Sequence, residues 1–257
     1  MEWHTEERLI ATIADMLVGV KHVAVGASSP IPGAAALLAQ ARAAGRMRVS
    51  VLGSEHEGFF TDGGRELFDC AAQGRIDAFF LGGGQIDGAA NINLVGIGNY
   101  PQSQVRFPGS FGSAYLYFLI PKVILFREEH TPRVLVPKVD FVSAPGTSPS
   151  NYYRPGGPYA LVTSRCVFLF DKRRGRFRLA SIHPGHSLND IQHETGFDFD
   201  TDAGGVLTTP TPERKQLELI RGPVADAISK TYPAFATRVF GTTSHHVAYP
   251  IAMSRDC

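Results

Sequence analysis

Two short segments of the sequence place polar side chains directly after an apolar run, where they could take part in chemistry. The first opens with the glycine triplet Gly82–Gly84 and continues with Gln85, Asp87 and Asn91. The apolar run Ile76–Leu81 before it predicts a buried strand, so we expect a site at the carboxyl edge of an α/β sheet. Glycines there let a ligand approach the backbone closely. Gln85 is then the candidate donor to a substrate carbonyl.

The second segment is the loop Ser54–Gly58, which places two carboxylates around a histidine. Glu55 and Glu57 are candidate catalytic groups, because a carboxylate can attack an activated carbonyl or take a proton from water. His56 lies between them and could orient water or change the acidity of its neighbours. Ser54 is a candidate substrate-binding residue. A loop carboxylate facing water, or a structural hydrogen bond of the histidine, is the alternative.

A third segment, Pro108–Gly112, offers backbone groups. Gly109 and Gly112 could present N–H groups to an enolate oxygen, and a tight turn without a ligand is the alternative. The segment is not a G-x-S-x-G nucleophile elbow, because it begins with proline where that motif requires glycine. For Asp87 and Asn91, substrate binding competes with a scaffolding role, since short polar side chains close turns on nearby backbone.

One cluster of residues contains metal-ligating types: His183, His186, His193 and Glu194. No further ligand stands at typical spacing, and we expect no metal site. Ser187 and Asp190 instead fit the N-cap and the third position of a helix. The basic run Asp171–Arg178 could meet phosphates, but the β-like runs on either side predict a solvated hairpin tip.

Composition limits the classes of protein that the chain can represent. Its 257 residues are 44% hydrophobic and 19% charged, enough apolar material for a core and too little charge for disorder. The net charge of +1 predicts no attraction to nucleic acid or to acidic membrane. Cys70, Cys166 and Cys257 show no CxxC spacing, which favours reduced thiols. With an acidic start and no membrane-spanning run, we expect a soluble, cytoplasmic protein.

Helices and strands alternate in the first third of the chain, as is typical of parallel βαβ units. The predicted elements are a helix from Thr5 to Leu17, a strand at His22–Gly26, a helix at Ala34–Ala44, a strand at Arg48–Gly53, a helix at Arg65–Gln73 and the strand before the glycine triplet. These elements would bring the first two candidate segments to one sheet edge, because each follows a predicted strand.

The middle of the chain changes character. Closely spaced β-like runs occur at Lys122–Phe126, Val134–Val136, Val139–Val142, Ala160–Val162 and Val167–Phe170. Ala114–Ile120 suits a buried strand or a short helix, Glu213–Ile220 and Val224–Ser229 are predicted helices, and the last segment is predicted to be irregular. The simplest prediction is one α/β domain over residues 1–257, with an open, largely parallel sheet flanked by helices and additional β structure in the middle.

Four segments of the chain follow one another in a telling order: Gly82–Asn93 with its Gln-Ile-Asp and Asn-Ile-Asn patterns, the turn Pro108–Gly112, Glu129–Gly146 and His183–Phe197. In this order the chain resembles the β subunits of class I CoA-transferases over nearly its whole length. The resemblance implies a CoA-transferase-type fold and an acyl-CoA substrate. Coenzyme A would then be part of the substrate, and no separate cofactor is expected.

The chemistry that this resemblance implies depends on one glutamate. In the family it stands two positions before the glycine of a Ser-Glu-Asn-Gly turn, attacks the thioester and then carries CoA itself. In this chain the matching turn is Ser54–Gly58, and His56 occupies that position between Glu55 and Glu57. A displacement of about 1 Å can cost on the order of a hundredfold in rate, so this departure argues against the transferase step.

The same departure resembles one branch of the family, the β subunits of steroid ring-opening hydrolases in bacterial cholesterol catabolism. That branch implies retro-Claisen hydrolysis of a C–C bond in a steroid-derived acyl-CoA, which needs a base and enolate donors but no glutamyl-CoA. It also implies a homologous α subunit, an α2β2 heterotetramer and a principal base on that partner. A CoA-transferase subunit and a non-catalytic stabilising subunit are the alternatives.

Overall fold

The computed structural model describes residues 2–241, so Cys257 and the rest of residues 242–257 lie outside the described part. The α-helices are α1 Thr5–Met16, α2 Pro30–Arg42, α3 Gly63–Ala72, α4 Ser113–Leu119, α5 Leu188–Glu194, α6 Arg214–Leu219, α7 Ala225–Thr231 and α8 Pro233–Phe240, with a π-helical turn Ile220–Val224 between α6 and α7. The strands are β1 His22–Val25, β2 Arg48–Val51, β3 Ala78–Leu81, β4 Gln85–Ile86, β5 Ile92–Asn93, β6 Gly96–Ile97, β7 Val105–Arg106, β8 Lys122–Phe126, β9 Pro158–Val162, β10 Cys166–Asp171, β11 Arg176–Ile182 and β12 Leu207–Thr208.

Eight of these strands form one mixed sheet in the order β12-β11-β10-β9-β8-β3-β1-β2. The strands from β2 to β9 in this order pair in parallel. β10 is antiparallel to both of its neighbours, and β12 adds a short parallel edge to β11. β4–β5 and β6–β7 form two small antiparallel pairs in the middle of the chain. The predicted open, largely parallel sheet with additional β structure is confirmed.

Both faces of the sheet are covered, because successive side chains of a strand point to opposite sides. Val23 and Val25 of β1 join the core that contains residues of α1, α2 and the C-terminal helices. Ala24, between them, joins the other core, which includes Leu67 of α3 and Tyr117 of α4. The edges of the parallel strands therefore remain the places where loops can form a site.

Two of the predicted β runs are wrong. In Val134–Val136 the first two N–H groups donate to the carbonyl of Thr131 in a turn, and only an isolated bridge to Ile86 forms. Pro137 follows at once and has no N–H with which to extend a ladder. Val139–Val142 likewise belongs to no strand. Both runs pack as irregular backbone against the β4–β5 hairpin.

Helix boundaries differ from the prediction at three places. α2 begins at Pro30 instead of Ala34, because proline is well suited to the first turn of a helix. The open alternative for Ala114–Ile120 is resolved as a helix, α4. The final described segment forms α8 from Pro233, so the prediction of an irregular end is wrong up to residue 240. Proline disguised a helix start in both corrections.

Two further observations concern the described residues alone. Cys70 in α3 and Cys166 at the start of β10 are buried free thiols. Between residues 2 and 241, no helix combines the length and the apolar character that a membrane crossing requires.

Candidate active site

The carboxyl ends of the parallel strands gather four loops at one edge of the sheet. Ser28–Ser29 follows β1, Ser54–Glu57 follows β2, Gly82 follows β3, and Arg127–Glu129 follows β8. A cleft of about 670 Å³ opens here, lined among others by Ser29, Gly82, Arg127, Glu128, Glu129 and Arg238. This is the position at which open α/β sheets bind ligands.

The loop after β2 is a closed turn that fixes its own ends. The Val51 N–H donates to the Glu57 carbonyl at 2.8 Å, and the Glu57 N–H donates to Ser54 Oγ at 3.0 Å. Ser54 Oγ also accepts from the Thr231 hydroxyl of α7 at 2.8 Å. A side chain on Gly58 would lie 2.5 Å from the Ser54 carbonyl oxygen, so the turn requires glycine there. Ser54 therefore fastens the loop, and its contact with substrate stays a prediction.

The three candidate catalytic side chains of this loop differ in exposure. Glu55 and His56 are exposed, whereas Glu57 is half-buried. Within residues 2–241 neither glutamate forms an ion pair. Both carboxylates are therefore available to a substrate, and Glu55 and His56 face the space outside the chain.

The glycine triplet serves close packing of the chain on itself. A Cβ on Gly84 would lie 2.2 Å from the Phe107 ring, and one on Gly83 would lie 2.6 Å from Ile92. Gly82 alone lines the cleft. The close approach expected at this triplet is thus made mainly by the protein.

Gln85 is buried and its amide is held by three contacts. Its Oε1 accepts from Asn93 Nδ2 at 2.7 Å and from the Asp140 N–H at 3.0 Å, and its Nε2 donates to Asp140 Oδ2 at 3.2 Å. Asp140 also accepts from the Gly98 N–H at 2.8 Å. This geometry favours a structural role for Gln85, which ties the β4–β5 hairpin to the segment that follows β8.

Asp87 and Asn91 adopt the scaffolding role that was the alternative for them. Asp87 Oδ1 accepts from the N–H groups of Ala89 and Asn91, each at 3.0 Å, and Oδ2 accepts from Asn91 Nδ2 at 3.0 Å. Asn91 Oδ1 accepts from the Gly146 N–H at 3.1 Å. The turn after β4 is therefore built by its own side chains.

We expect Asp87→Ala to lower the free energy of unfolding by about 3 kcal/mol, because it leaves several buried N–H donors without an acceptor. Urea unfolding measures this change. Asp69→Ala is the matched control, since Asp69 is exposed on α3 and should change stability by no more than about 0.5 kcal/mol. Equal effects of the two substitutions would contradict the scaffolding role.

The turn before α4 gives its two glycines different positions. The Gly109 N–H already donates to the Leu94 carbonyl at 3.1 Å, so in this conformation it is not free for an enolate oxygen. Gly112 has a φ of 69° as the N-cap of α4, and a Cβ there would lie 2.6 Å from the Phe68 ring. The tight-turn alternative therefore describes Gly109, and for Gly112 the N–H donor role stays a prediction.

The histidine-rich segment forms the expected helix start. Ser187 Oγ accepts from the Asp190 N–H at 3.2 Å, and Asp190 Oδ2 accepts from the Ser187 N–H at 2.8 Å, which confirms the predicted cap of α5. His183 is buried, while His186 and His193 are exposed. Over residues 2–241, no three His, Cys, Asp or Glu side chains are arranged to hold a metal ion.

Sequence reasoning missed a buried polar network behind the cleft. His130 Nδ1 contacts Thr163 Oγ1 at 2.8 Å and its Nε2 contacts Thr195 Oγ1 at 3.0 Å. His183 contacts Thr209 Oγ1 at 2.8 Å and the Thr163 carbonyl at 3.0 Å. Burial lowers the pKa of His130 to about 4 and that of His183 to about 3, so both are neutral. No local pattern announces contacts between residues so distant in the sequence.

The acidic and basic side chains that line the cleft were also missed. Arg127 and Glu129 follow the apolar run of β8 directly, so the rule that located the glycine triplet would have found them. Glu129 is held by Arg133 at 2.7 Å and Arg127 at 3.2 Å, and the hydrogen bond from Arg133 helps to lower the pKa of its carboxyl group. Glu129 is therefore a fixed anion and not a proton acceptor.

Comparison with known proteins supports this position of the site. The family model for coenzyme A transferase matches residues 5–194. One relative, the smaller-lettered partner aside, is the B chain component of glutaconate CoA-transferase from Acidaminococcus fermentans, which is 34% identical over 140 residues, 52% of each chain. The cholesterol ring-cleaving hydrolase IpdB subunit of Rhodococcus jostii RHA1 is 33% identical over 162 residues, 61% of this chain and 62% of the relative. The chain thus spans about half to three fifths of the curated relatives it matches.

Solved structures show the same fold. The A. fermentans glutaconate CoA-transferase matches with a TM-score of 0.75 at 24% identity, over 86% of this chain and 94% of the other. IpdAB of R. jostii RHA1 matches with a TM-score of 0.73 at 24% identity, with the same coverage. The predicted CoA-transferase-type sheet is therefore confirmed, and with the match over residues 5–194 the chain belongs to the coenzyme A transferase family.

Proposed function

We propose that this chain is the β subunit of a heteromeric hydrolase that opens the last steroid ring of an acyl-CoA substrate in steroid degradation. One relative is named a cholesterol ring-cleaving hydrolase subunit, which supports this substrate class. Two others are named as single subunits of CoA-transferases, which supports a homologous α partner and an α2β2 assembly. CoA belongs to the substrate, and the proposal includes no separate cofactor.

The observation that carries the proposal is the geometry of the loop Ser54–Gly58. The turn closes on Ser54 and leaves Glu55 and His56 exposed at the carboxyl edge, with His56 at the position of the glutamate in related transferases. An exposed carboxylate beside a histidine can hold a water molecule without forming a covalent bond to the substrate. The remaining wall of such a pocket must come from another subunit.

The reaction that fits this arrangement is a retro-Claisen cleavage. A water oxygen bonds to a ring carbonyl carbon, the adjacent C–C bond breaks, and its electron pair forms an enolate that then takes up a proton. In this proposal the principal base lies on the α subunit, while Glu55, His56 and Glu57 direct the water. The N–H of Gly112 is the donor that this chain could offer to the enolate oxygen.

A CoA-transferase subunit is the second candidate. The observation in its favour is that Glu55 is exposed and has no ion pair within residues 2–241, as a nucleophilic carboxylate would need. Such an enzyme forms a glutamyl-CoA thioester in every turnover. The two candidates therefore differ in a covalent intermediate that can be trapped.

We expect the reconstituted complex to form no glutamyl-CoA thioester. The complex is incubated with a panel of CoA thioesters that includes cyclic diketones, treated with borohydride or hydroxylamine, and digested for mass spectrometry. Peptides containing Glu55 and Glu57 should remain unmodified, because water attacks the substrate directly. Glu55→Gln and Glu57→Gln variants are the controls that locate any label. A modified glutamate would assign the chain to the transferases.

A further inference from the structure

A second cleft lies at the opposite edge of the sheet, beneath the tip of the β10–β11 hairpin. It has a volume of about 200 Å³ and is lined by Thr147, Ser148, Ser150, Arg154 and Lys172 among others. The candidate active site opens where the parallel strands end, whereas this cleft lies where β9 begins. The two clefts are therefore separate.

Two cations face this cleft without an anionic partner. Arg154 donates to Ser148 Oγ at 3.3 Å and to the Tyr117 carbonyl at 3.1 Å, and Lys172 donates to the Pro121 carbonyl at 3.4 Å. In the part of the chain that the structure describes, neither forms an ion pair. All of these acceptors are neutral, so the positive charges remain uncompensated.

Their neighbours on the same hairpin are paired. Arg174 and Arg176 both contact Asp200, and Arg178 contacts Asp202. The basic run that the sequence predicts to be a solvated tip is thus neutralised on one side and left positive on the side that faces the cleft. This asymmetry distinguishes Lys172 from the other basic residues around it.

Arg154 is held in a way that makes its charge costly. Its guanidinium lies 5.2 Å from the Tyr117 ring centroid and 5.6 Å from that of Phe118, and its Nε is buried without an acceptor. Burial lowers the pKa of Arg154, and burial together with the Arg154 charge lowers the pKa of Lys172. An anion in the cleft would offset both effects.

We propose that this cleft binds a phosphate-type oxyanion, either inorganic phosphate or the phosphate group of a small ester. Arg154 supplies a planar donor group, Lys172 supplies a point charge at the mouth, and the hydroxyls of Thr147 and Ser150 supply further donors. The volume suits a single phosphate group with little else enclosed. The site is independent of the function proposed for the carboxyl edge, since its readout is binding and not turnover.

The test is calorimetric titration of the full chain, alone and with its co-purified partner, using inorganic phosphate at constant ionic strength. We expect saturable binding that Lys172→Met weakens by about tenfold, the loss of one charge-assisted contact. Arg154→Lys keeps the charge but loses the planar donor and should weaken binding by a similar factor. Arg173→Met removes a charge next to Lys172 but outside the cleft, and should change the affinity by less than about twofold.

Further ligands separate the two sources of phosphate. Adenosine 3′,5′-bisphosphate that binds about tenfold tighter than inorganic phosphate identifies an ester as the ligand, and equal affinities identify the free ion. Several outcomes overturn the proposal. They are the absence of saturable phosphate binding, equal losses in Lys172→Met and Arg173→Met, and the disappearance of binding in the presence of the partner, which would mean that a carboxylate of the partner fills the cleft.

Discussion

Between about pH 7 and pH 5 the free energy of unfolding should fall by about 4 kcal/mol, because two buried histidines must gain protons as the chain unfolds. The pKa of His130 is lowered to about 4 and that of His183 to about 3. In the unfolded chain each has a pKa of about 6.5, so the unfolded state binds protons first. The loss begins below about pH 6.5 and continues until the two folded pKa values are reached.

The surroundings of the two imidazoles explain why neither accepts a proton readily. Burial is the largest cause for both, and the nearby positive charges of Arg165 and Arg8 add to it. Their hydrogen-bond partners are threonine hydroxyls and one carbonyl group, all without charge. A buried imidazolium would therefore lack a counter-ion, which is the costly situation for any buried charge.

Urea unfolding at a series of pH values measures this effect. His183→Gln should lower stability at pH 7, because it disturbs the contacts to Thr209 and Thr163, and it should flatten the pH dependence by one proton. His56→Gln is the matched control, since His56 is exposed and should leave the curve unchanged. A wild-type stability that stays constant down to pH 5 would show that the buried histidines do not govern acid unfolding.

The features that could be predicted from the sequence are those that depend on neighbouring residues. Short apolar runs located β1, β2 and β3, and the serine and aspartate spacing located the cap of α5. The rule that polar residues after a strand lie at its carboxyl edge correctly placed Ser54–Glu57 beside the cleft. In each case the residues that decide the structure lie within a few positions of one another.

The features that could not be predicted depend on residues distant in the sequence. Gln85 looks available in the sequence, yet Asp140, 55 positions later, holds both ends of its amide. His130 meets Thr195 across 65 positions. The cleft also needs Arg238 from α8, a helix that the sequence did not indicate. Tertiary contacts of this kind satisfy polar groups that the local pattern leaves open.

The largest effect on turnover should come from the loop after β2. In the reconstituted complex, we expect at least one of Glu55→Gln and Glu57→Gln to lower kcat by about a hundredfold or more, the usual contribution of a positioned acid or base. His56→Asn should have a smaller effect, because in the proposed reaction it orients water without taking the proton. Gln85→Met should change stability more than the chemical step, since its amide contacts only protein.

Stability and activity can be separated at this loop because its fold does not depend on the two carboxylates. The hydrogen bonds that close the turn use the Glu57 backbone, Ser54 and Thr231. Substituting either glutamate by glutamine should therefore leave the melting temperature unchanged. A loss of turnover without a loss of stability would then report chemistry at the carboxyl edge.

Glu218→Gln provides the matched control, because Glu218 lies on α6 and forms only an exposed pair with Arg214. Such a pair contributes about 1 kcal/mol at most, so turnover and stability should both stay near wild type. Unchanged turnover in all the loop variants and in Gln85→Met would leave this chain as a subunit that only stabilises its partner. Because Glu55 and His56 face outward, their effect should appear only when the α subunit closes the pocket around them.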